Sequence, residues 1–120
     1  MKIFKLDTYT SFKEQNICLA IGNFDGFHKG HQEILKILKQ ISIEKKLSSA
    51  VMSFDPHPRL FFNKKSENFN IYTKEDKLKY LKNFGINIFI NFTFNNILSE
   101  YSSEKFIKEI LFKKLNIKSL

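Results

Sequence analysis

Two imidazoles, His28 and His31, stand three residues apart around a glycine in the string Gly22-Asn23-Phe24-Asp25-Gly26-Phe27-His28-Lys29-Gly30-His31. Residues at that spacing share one helix face, so both rings can address one ligand once the first helical turn starts near them. Protonated, the pair donates to phosphoryl oxygens and can stabilise charge that builds up during group transfer. Gly22 and Gly26 permit turns that a β-carbon opposes, and Gly30 lets a phosphate or a base approach the backbone. The Asn23 amide can orient a phosphate oxygen, with Phe24 beside it. Asp25 is out of place in an anion site; it either fixes a histidine tautomer or serves the turn and the helix cap.

The elements that position these groups are a strand and a helix. Ile17-Cys18-Leu19-Ala20-Ile21 is a continuous apolar run, the pattern of a strand covered on both faces. After the decapeptide, His31–Leu47 reads as a helix with Ile34, Leu35, Leu38 and Ile41 on its inner face and charges opposite. A helix N-terminus offers unpaired N–H groups and partial positive charge, which suits a nucleotide triphosphate.

A second cluster follows the next apolar strand, Ala50–Phe54. Pro56 and Pro58, on either side of His57, stop regular pairing and fix an extended exit. They either line the same site or form a rigid loop with a solvated histidine. Arg59 is the single arginine of the chain, and it is available for two-point phosphate contact or for the surface. Phe62 can stack on a planar ligand or belong to the core.

Further along, residues 60–71 read as a loop. Thr73 and Asp76 resemble a capping box at the start of a helix that runs to Phe84, where Gly85 is a natural terminator. Ile86–Ile90 reads as a third core strand. Ser102 or Ser103 caps a last helix with Phe106, Ile107, Ile110 and Leu111 inward. Ile3–Leu6 is either a short edge strand or loop. Strands alternating with helices predict a parallel α/β sheet. Ligands in such sheets lie beyond the carboxyl ends of the strands, where both clusters sit.

The decapeptide resembles the signature of the prokaryotic FAD synthetases, bifunctional riboflavin kinase/FMN adenylyltransferases, in their adenylyltransferase module. Ser53-Phe54-Asp55-Pro56-His57-Pro58-Arg59 is similar to that family's Phe-x-Pro-His-Pro segment. Tyr72-Thr73-Lys74-Glu75-Asp76-Lys77 and Leu98-Ser99…Ser103-Glu104-Lys105-Phe106-Ile107 are supporting matches. The resemblance implies a Rossmann-like nucleotidyltransferase fold with a parallel sheet and the joining of FMN with AMP from ATP. On that basis His28 and His31 hold phosphates and stabilise the transition state. Gly22, Asn23, Phe24, Asp25 and Gly30 shape the ATP pocket, and Pro56, His57, Pro58, Arg59 and Phe62 lie near flavin or phosphate. Magnesium bridges phosphate oxygens.

The family's later Asp-Phe-Arg-Phe-Gly and Ile-Ser-Ser-Thr blocks and its riboflavin kinase module have no counterpart here. Residues 1–120 are therefore expected to form one partial, truncated module, with a carboxyl-terminal segment or companion chain missing and weak or no turnover alone. Two readings stand beside this one: another nucleotidyltransferase of the His-x-Gly-His class, and a non-catalytic nucleotide-binding remnant.

Composition limits the other classes. The chain has 120 residues, 42% of them hydrophobic, which argues against disorder. Its formal charge of +8 comes from lysines scattered through every segment, so no nucleic-acid partner is expected. One cysteine, Cys18, excludes a disulfide framework. No apolar run reaches the length of a bilayer span and no signal-peptide pattern opens the chain, so a cytoplasmic location is expected.

Overall fold

A computed structural model describes residues 1–22, 29–55 and 74–114. Four strands and five helical segments lie within them: β1 (Lys2–Leu6), β2 (Ile17–Ile21), α1 (Lys29–Glu44), β3 (Ser48–Asp55), α2 (Lys74–Phe84), β4 (Ile88–Thr93), α3 (Asn96–Ser99), α4 (Ser103–Lys105) and a wide-turned π-helix, Phe106–Lys114. The strands form one sheet in the order β1-β4-β3-β2, and every pairing is parallel. This is the α/β sheet the sequence predicts, and Ile3–Leu6 resolves as a genuine edge strand.

Alternation along the strands sends side chains to two different cores. On one face Cys18, Val51 and Phe89 pack under Leu35 and Leu38 of α1 and Leu81 of α2. On the other face Ile17, Leu19, Ala50, Met52, Ile88, Ile90 and Phe92 pack under Leu98 of α3 and Ile110 and Leu111 of the π-helix. Both faces of the sheet are thus covered, which is why β2 is apolar throughout and β3 carries the apolar run Ala50–Met52 at its centre.

Both long helices end in the same hydrogen-bonded turn. At α1 the Leu47 N–H donates to Ser42 O and the Lys46 N–H to Ile43 O, with Lys46 at φ 56°. At α2 the Ile86 N–H donates to Leu81 O and the Gly85 N–H to Lys82 O, with Gly85 at φ 94°. A left-handed residue at this position lets the chain reverse and satisfies the last carbonyls. The turns also correct two boundaries: α1 stops at Glu44 rather than Leu47, and the strand expected over Ile86–Ile90 is Ile88–Thr93. Ile86 is occupied by the turn, and the Asn87 N–H is taken by Ser49.

Two further differences concern inner faces. Ile34 is 46% exposed although Leu35 and Leu38 beside it are buried. Ile107 is 43% exposed, because the wider turn of the π-helix rotates it away from Ile110 and Leu111. Ser102 caps the last helical stretch, its Oγ accepting from the Lys105 N–H at 3.0 Å. The short helix α3, capped by Asn95 Oδ1 accepting from the Leu98 N–H at 3.0 Å, has no counterpart in the sequence-based reading. The expected loop over residues 60–71 and the Thr73 cap lie outside the described residues.

Candidate functional site

Strand β2 hands the chain to the decapeptide at the carboxyl edge of the sheet. Gly22 is the last residue tied to the ladder: its N–H donates to Met52 O at 3.0 Å. The chain re-enters regular structure at Lys29, so Gly30 and His31 lie in the first turn of α1. His31 is four residues before Leu35, which is fully buried against the sheet. It therefore shares the sheet-facing side of α1, one turn nearer the carboxyl edge, and it is half-buried there.

Strand β3 lies beside β2, with Ile21 in register with Met52. It ends at Asp55, directly before Pro56. The two sequence clusters thus leave neighbouring strands at the same edge. Asn23, Phe24, Asp25 and His28 lie outside the described residues, as do Pro56, His57, Pro58, Arg59 and Phe62.

At this edge the two faces of the sheet differ in chemistry. The α1 face turns polar: Ser53 and Asn91 are register partners on β3 and β4 and are buried, with Asp55 and Thr93 one step beyond. Apolar Val51 and Phe89 occupy the preceding positions of that same face. His31, one turn before Leu35, opens the helix that covers this face. Among the described residues no group of three His, Cys, Asp or Glu side chains converges to hold a metal ion.

The opposite face is aromatic. A cavity of about 440 Å³ is lined by Ile21 at the end of β2, Phe54 at the end of β3, and Phe94, Tyr101, Phe106 and Ile107. Phe54 is its hub, with ring centroids 5.9 Å from Phe94, 5.9 Å from Phe106 and 6.2 Å from Phe92. Tilted and edge-on rings at these separations form one packed aromatic cluster along the cavity wall. At the rim Lys105 Nζ stands 4.3 Å from the centroid of the Tyr101 ring. Sequence reasoning had placed Phe106 in the core and had given Phe54, Phe94 and Tyr101 no role in a site. Phe54 and Phe94 stand at the ends of the adjacent strands β3 and β4, a signal visible only once strand order is known.

Residues 11–120 match the family model described as FAD synthetase. The chain is 41% identical over 103 residues to a bifunctional riboflavin kinase/FMN adenylyltransferase of Buchnera aphidicola from Schizaphis graminum, covering 86% of this chain and 33% of that protein. It is 35% identical over 106 residues to the protein of that description in Haemophilus influenzae, covering 88% and 34%. The chain therefore spans about a third of the length of the curated relatives it matches. A Streptococcus pneumoniae crystal structure described as a macrolide-efflux protein superposes with a TM-score of 0.72 at 21% identity, covering 97% of this chain and 46% of that one; at that identity the likeness concerns the fold alone. A match over nearly the whole chain, with both sequence clusters leaving one sheet edge, places the chain in the FAD synthetase family.

Proposed function

We propose that this chain carries the part of an FMN adenylyltransferase that holds ATP and the flavin. The observation that supports this reading is the division of one sheet edge into a polar side beside His31 and an aromatic cavity around Phe54. A phosphate-bearing planar ring system such as FMN needs both. In the reaction an FMN phosphate oxygen forms a bond to the α-phosphorus of ATP. The bond from that phosphorus to the bridging oxygen breaks, and pyrophosphate leaves with the electron pair. No covalent enzyme intermediate is required, so alignment and charge stabilisation supply the rate.

The residues take the following parts. His31 donates to phosphate oxygens from the first turn of α1, with His28 its partner on the same ligand. Gly22, Asn23, Phe24, Asp25 and Gly30 shape the ATP pocket by their likeness to the family's signature. Pro56, His57, Pro58 and Arg59 border the phosphates, and Phe62 adds a ring to the flavin side. Magnesium, which prefers oxygen ligands and shared phosphates, would neutralise phosphate charge here with few protein ligands of its own. Residues 1–120 act as a partial module of a cytoplasmic enzyme. No helix among the described residues is long and apolar enough to cross a membrane.

Ligand titration tests the reading. The 120-residue chain is expected to quench FMN fluorescence and to bind Mg-ATP by calorimetry. His31→Ala is expected to weaken Mg-ATP about tenfold, the loss of one charge-assisted hydrogen bond, and to leave FMN binding in place. Tighter binding of a phosphate acceptor without an aromatic ring would favour another nucleotidyltransferase. ATP binding with no flavin binding would favour a non-catalytic remnant.

A further inference from the structure

The π-helix has a sequence suited to one winding and adopts another. Phe106, Ile107, Ile110 and Leu111 recur at the spacing of an α-helical inner face. Ser102 caps an ordinary α turn ahead of them, and the Phe106 N–H donates to Ser102 O at 2.9 Å. From Phe106 to Lys114 the chain nevertheless winds as a π-helix. Runs of this kind are rare beyond one turn and concentrate at functional sites. This one forms a wall of the aromatic cavity through Phe106, Ile107 and Leu111.

The two windings place different side chains over the sheet. An α-helix turns about 100° per residue, which sets Ile107 between Ile110 and Leu111 and leaves Phe106 about 100° to one side. Hydrogen bonds closed five residues apart reduce the turn to about 80° per residue, which sets Phe106 between Ile110 and Leu111 and leaves Ile107 about 80° off. The structure has the second arrangement: the Phe106 ring packs on Phe54 with centroids 5.9 Å apart, Ile110 and Leu111 are buried, and Ile107 is 43% exposed. Ile110 and Leu111 face the sheet in both windings, so the core they complete with Leu19, Met52 and Ile90 is common to the two. The difference is which of two neighbours, an aromatic or an aliphatic side chain, stands over the end of β3. The α winding satisfies the local preference of the sequence, whereas the π winding gains the contact between rings.

We propose that this helix is a two-register gate on the aromatic cavity. In the π register Phe106 stands against Phe54 and Ile107 turns outward. In the α register the two exchange places: Ile107 takes the position over Phe54, and the Phe106 ring leaves the cavity wall. Packed elements with two discrete arrangements switch between them rather than deform continuously, and shifts of helix register run on the microsecond-to-millisecond scale. A flat aromatic guest that rests on the Phe106 ring binds the π register alone and draws the helix into it. That last step rests on the flavin reading proposed above; the exchange of Phe106 and Ile107 does not.

The test is solution NMR of the 120-residue chain, reading couplings transmitted through backbone hydrogen bonds and millisecond exchange at the amides of residues 106–111. The π register joins the Leu111 N–H to Phe106 O, and the α register joins it to Ile107 O. The expected result is a major form with the Leu111–Phe106 coupling and exchange confined to this helix. Ile107→Lys adds a charge that the π register leaves in water and the α register buries. It is expected to abolish the exchange and keep the coupling. Ile107→Val, which either register accepts, keeps both. Phe106→Lys penalises the opposite register and is expected to move the coupling to Ile107 O, with unchanged amide shifts in β1 confirming the fold; should it not fold, the exchange in Ile107→Lys decides alone. Saturating FMN is expected to quench the exchange in the unsubstituted chain. The proposal is overturned by a single register without exchange, by exchange that persists in Ile107→Lys, or by the Leu111–Phe106 coupling in folded Phe106→Lys. FMN that binds and leaves the exchange unchanged overturns the gate while the flavin reading stands. If FMN does not bind, the flavin reading falls, and the response to Ile107→Lys still decides the gate.

Discussion

The two edges of the sheet solve opposite problems. On β1, Lys2 and Ile3 are exposed, and lysine stands at both Lys2 and Lys5. The connection that follows folds back along this strand. The Phe12 ring meets Phe4 edge-on at 5.1 Å, and Glu14 reaches Lys2 at 2.8 Å. Further up, the Asp7 carboxylate accepts from the N–H groups of Tyr9 and Thr10, both at 2.8 Å, and so fixes the turn that starts the return. This edge is charged and strapped by its own chain. Among the described residues β2 has neither device on its outer side. Covering the faces of a strand and pairing its edge are separate tasks, and helices accomplish only the first. The first three residues of β2 are buried above and below, yet among the described residues no strand pairs with its outer side.

The comparison is broken most sharply by truncating one residue at each edge. Leu19 in β2 is 1% exposed, whereas Ile3 in β1 is 55% exposed. Leu19→Ala is expected to destabilise the chain by about 2–5 kcal/mol, through lost transfer energy and the cavity left behind. Ile3→Ala is expected to cost less than about 1 kcal/mol, since little of its surface leaves water on folding. Urea unfolding monitored by circular dichroism gives both values. Equal costs would mean that β2 is no more part of the core than β1, and that the two edges differ in composition only.

An intermediate effect belongs to the seam between the edges. Asn87 sits before β4 and closes the amino end of the β3–β4 pair: its Oδ1 accepts from both the N–H and the Oγ of Ser49 at 3.0 Å, and its own N–H donates to Ser49 Oγ at 3.1 Å. Ser49 is 1% exposed, so water does not replace a lost partner. Asn87→Ala is expected to cost about 1–3 kcal/mol, the penalty for leaving a buried donor unmet. Asn87→Asp, which keeps the acceptor, should recover part of it. The readout is the urea midpoint, with hydrogen exchange at the Ser49 amide. No loss of stability would show that the seam is held by its flanking ladder alone.

These effects also show what the sequence could disclose. Ile17–Ile21 was legible to the residue because five apolar residues in a row have only one use in an alternating α/β pattern. Gly85 marked the end of α2 because a left-handed turn was needed there. Lys46 performs the same turn without a glycine, so the end of α1 was not legible. Ile34 fits the inner stripe of α1 by spacing, yet it stands 46% exposed in the groove beside β2, which periodicity does not disclose. The same holds for the site. Gly22, His31 and the exit at Asp55 could be placed at one edge from motif position. The aromatic cavity could not, since Ile21, Phe54, Phe94 and Phe106 lie far apart in the chain and meet only through the order β4-β3-β2 and the return of the π-helix over it.

The smallest effect tests what closes the β1 edge. The strap has an ionic part, Lys2 with Glu14, and an apolar part, Phe4 with Phe12. The Lys2 side chain is 68% exposed and the Glu14 side chain 31%. Water screens such a pair and side-chain ordering offsets much of the attraction, so exposed pairs contribute about 0–1 kcal/mol. Glu14→Gln is therefore expected to lower stability by no more than about 0.5 kcal/mol at low salt. At about 1 M salt, where screening acts within about 3 Å, the difference should vanish. Urea midpoints of the two proteins at both salt concentrations decide the matter. A loss above about 1 kcal/mol that survives high salt would show that Glu14 holds the strap by geometry rather than charge. The β1 edge would then owe its closure to one hydrogen bond, and the contrast with β2 would rest on a single residue instead of on the chemistry of the whole strand.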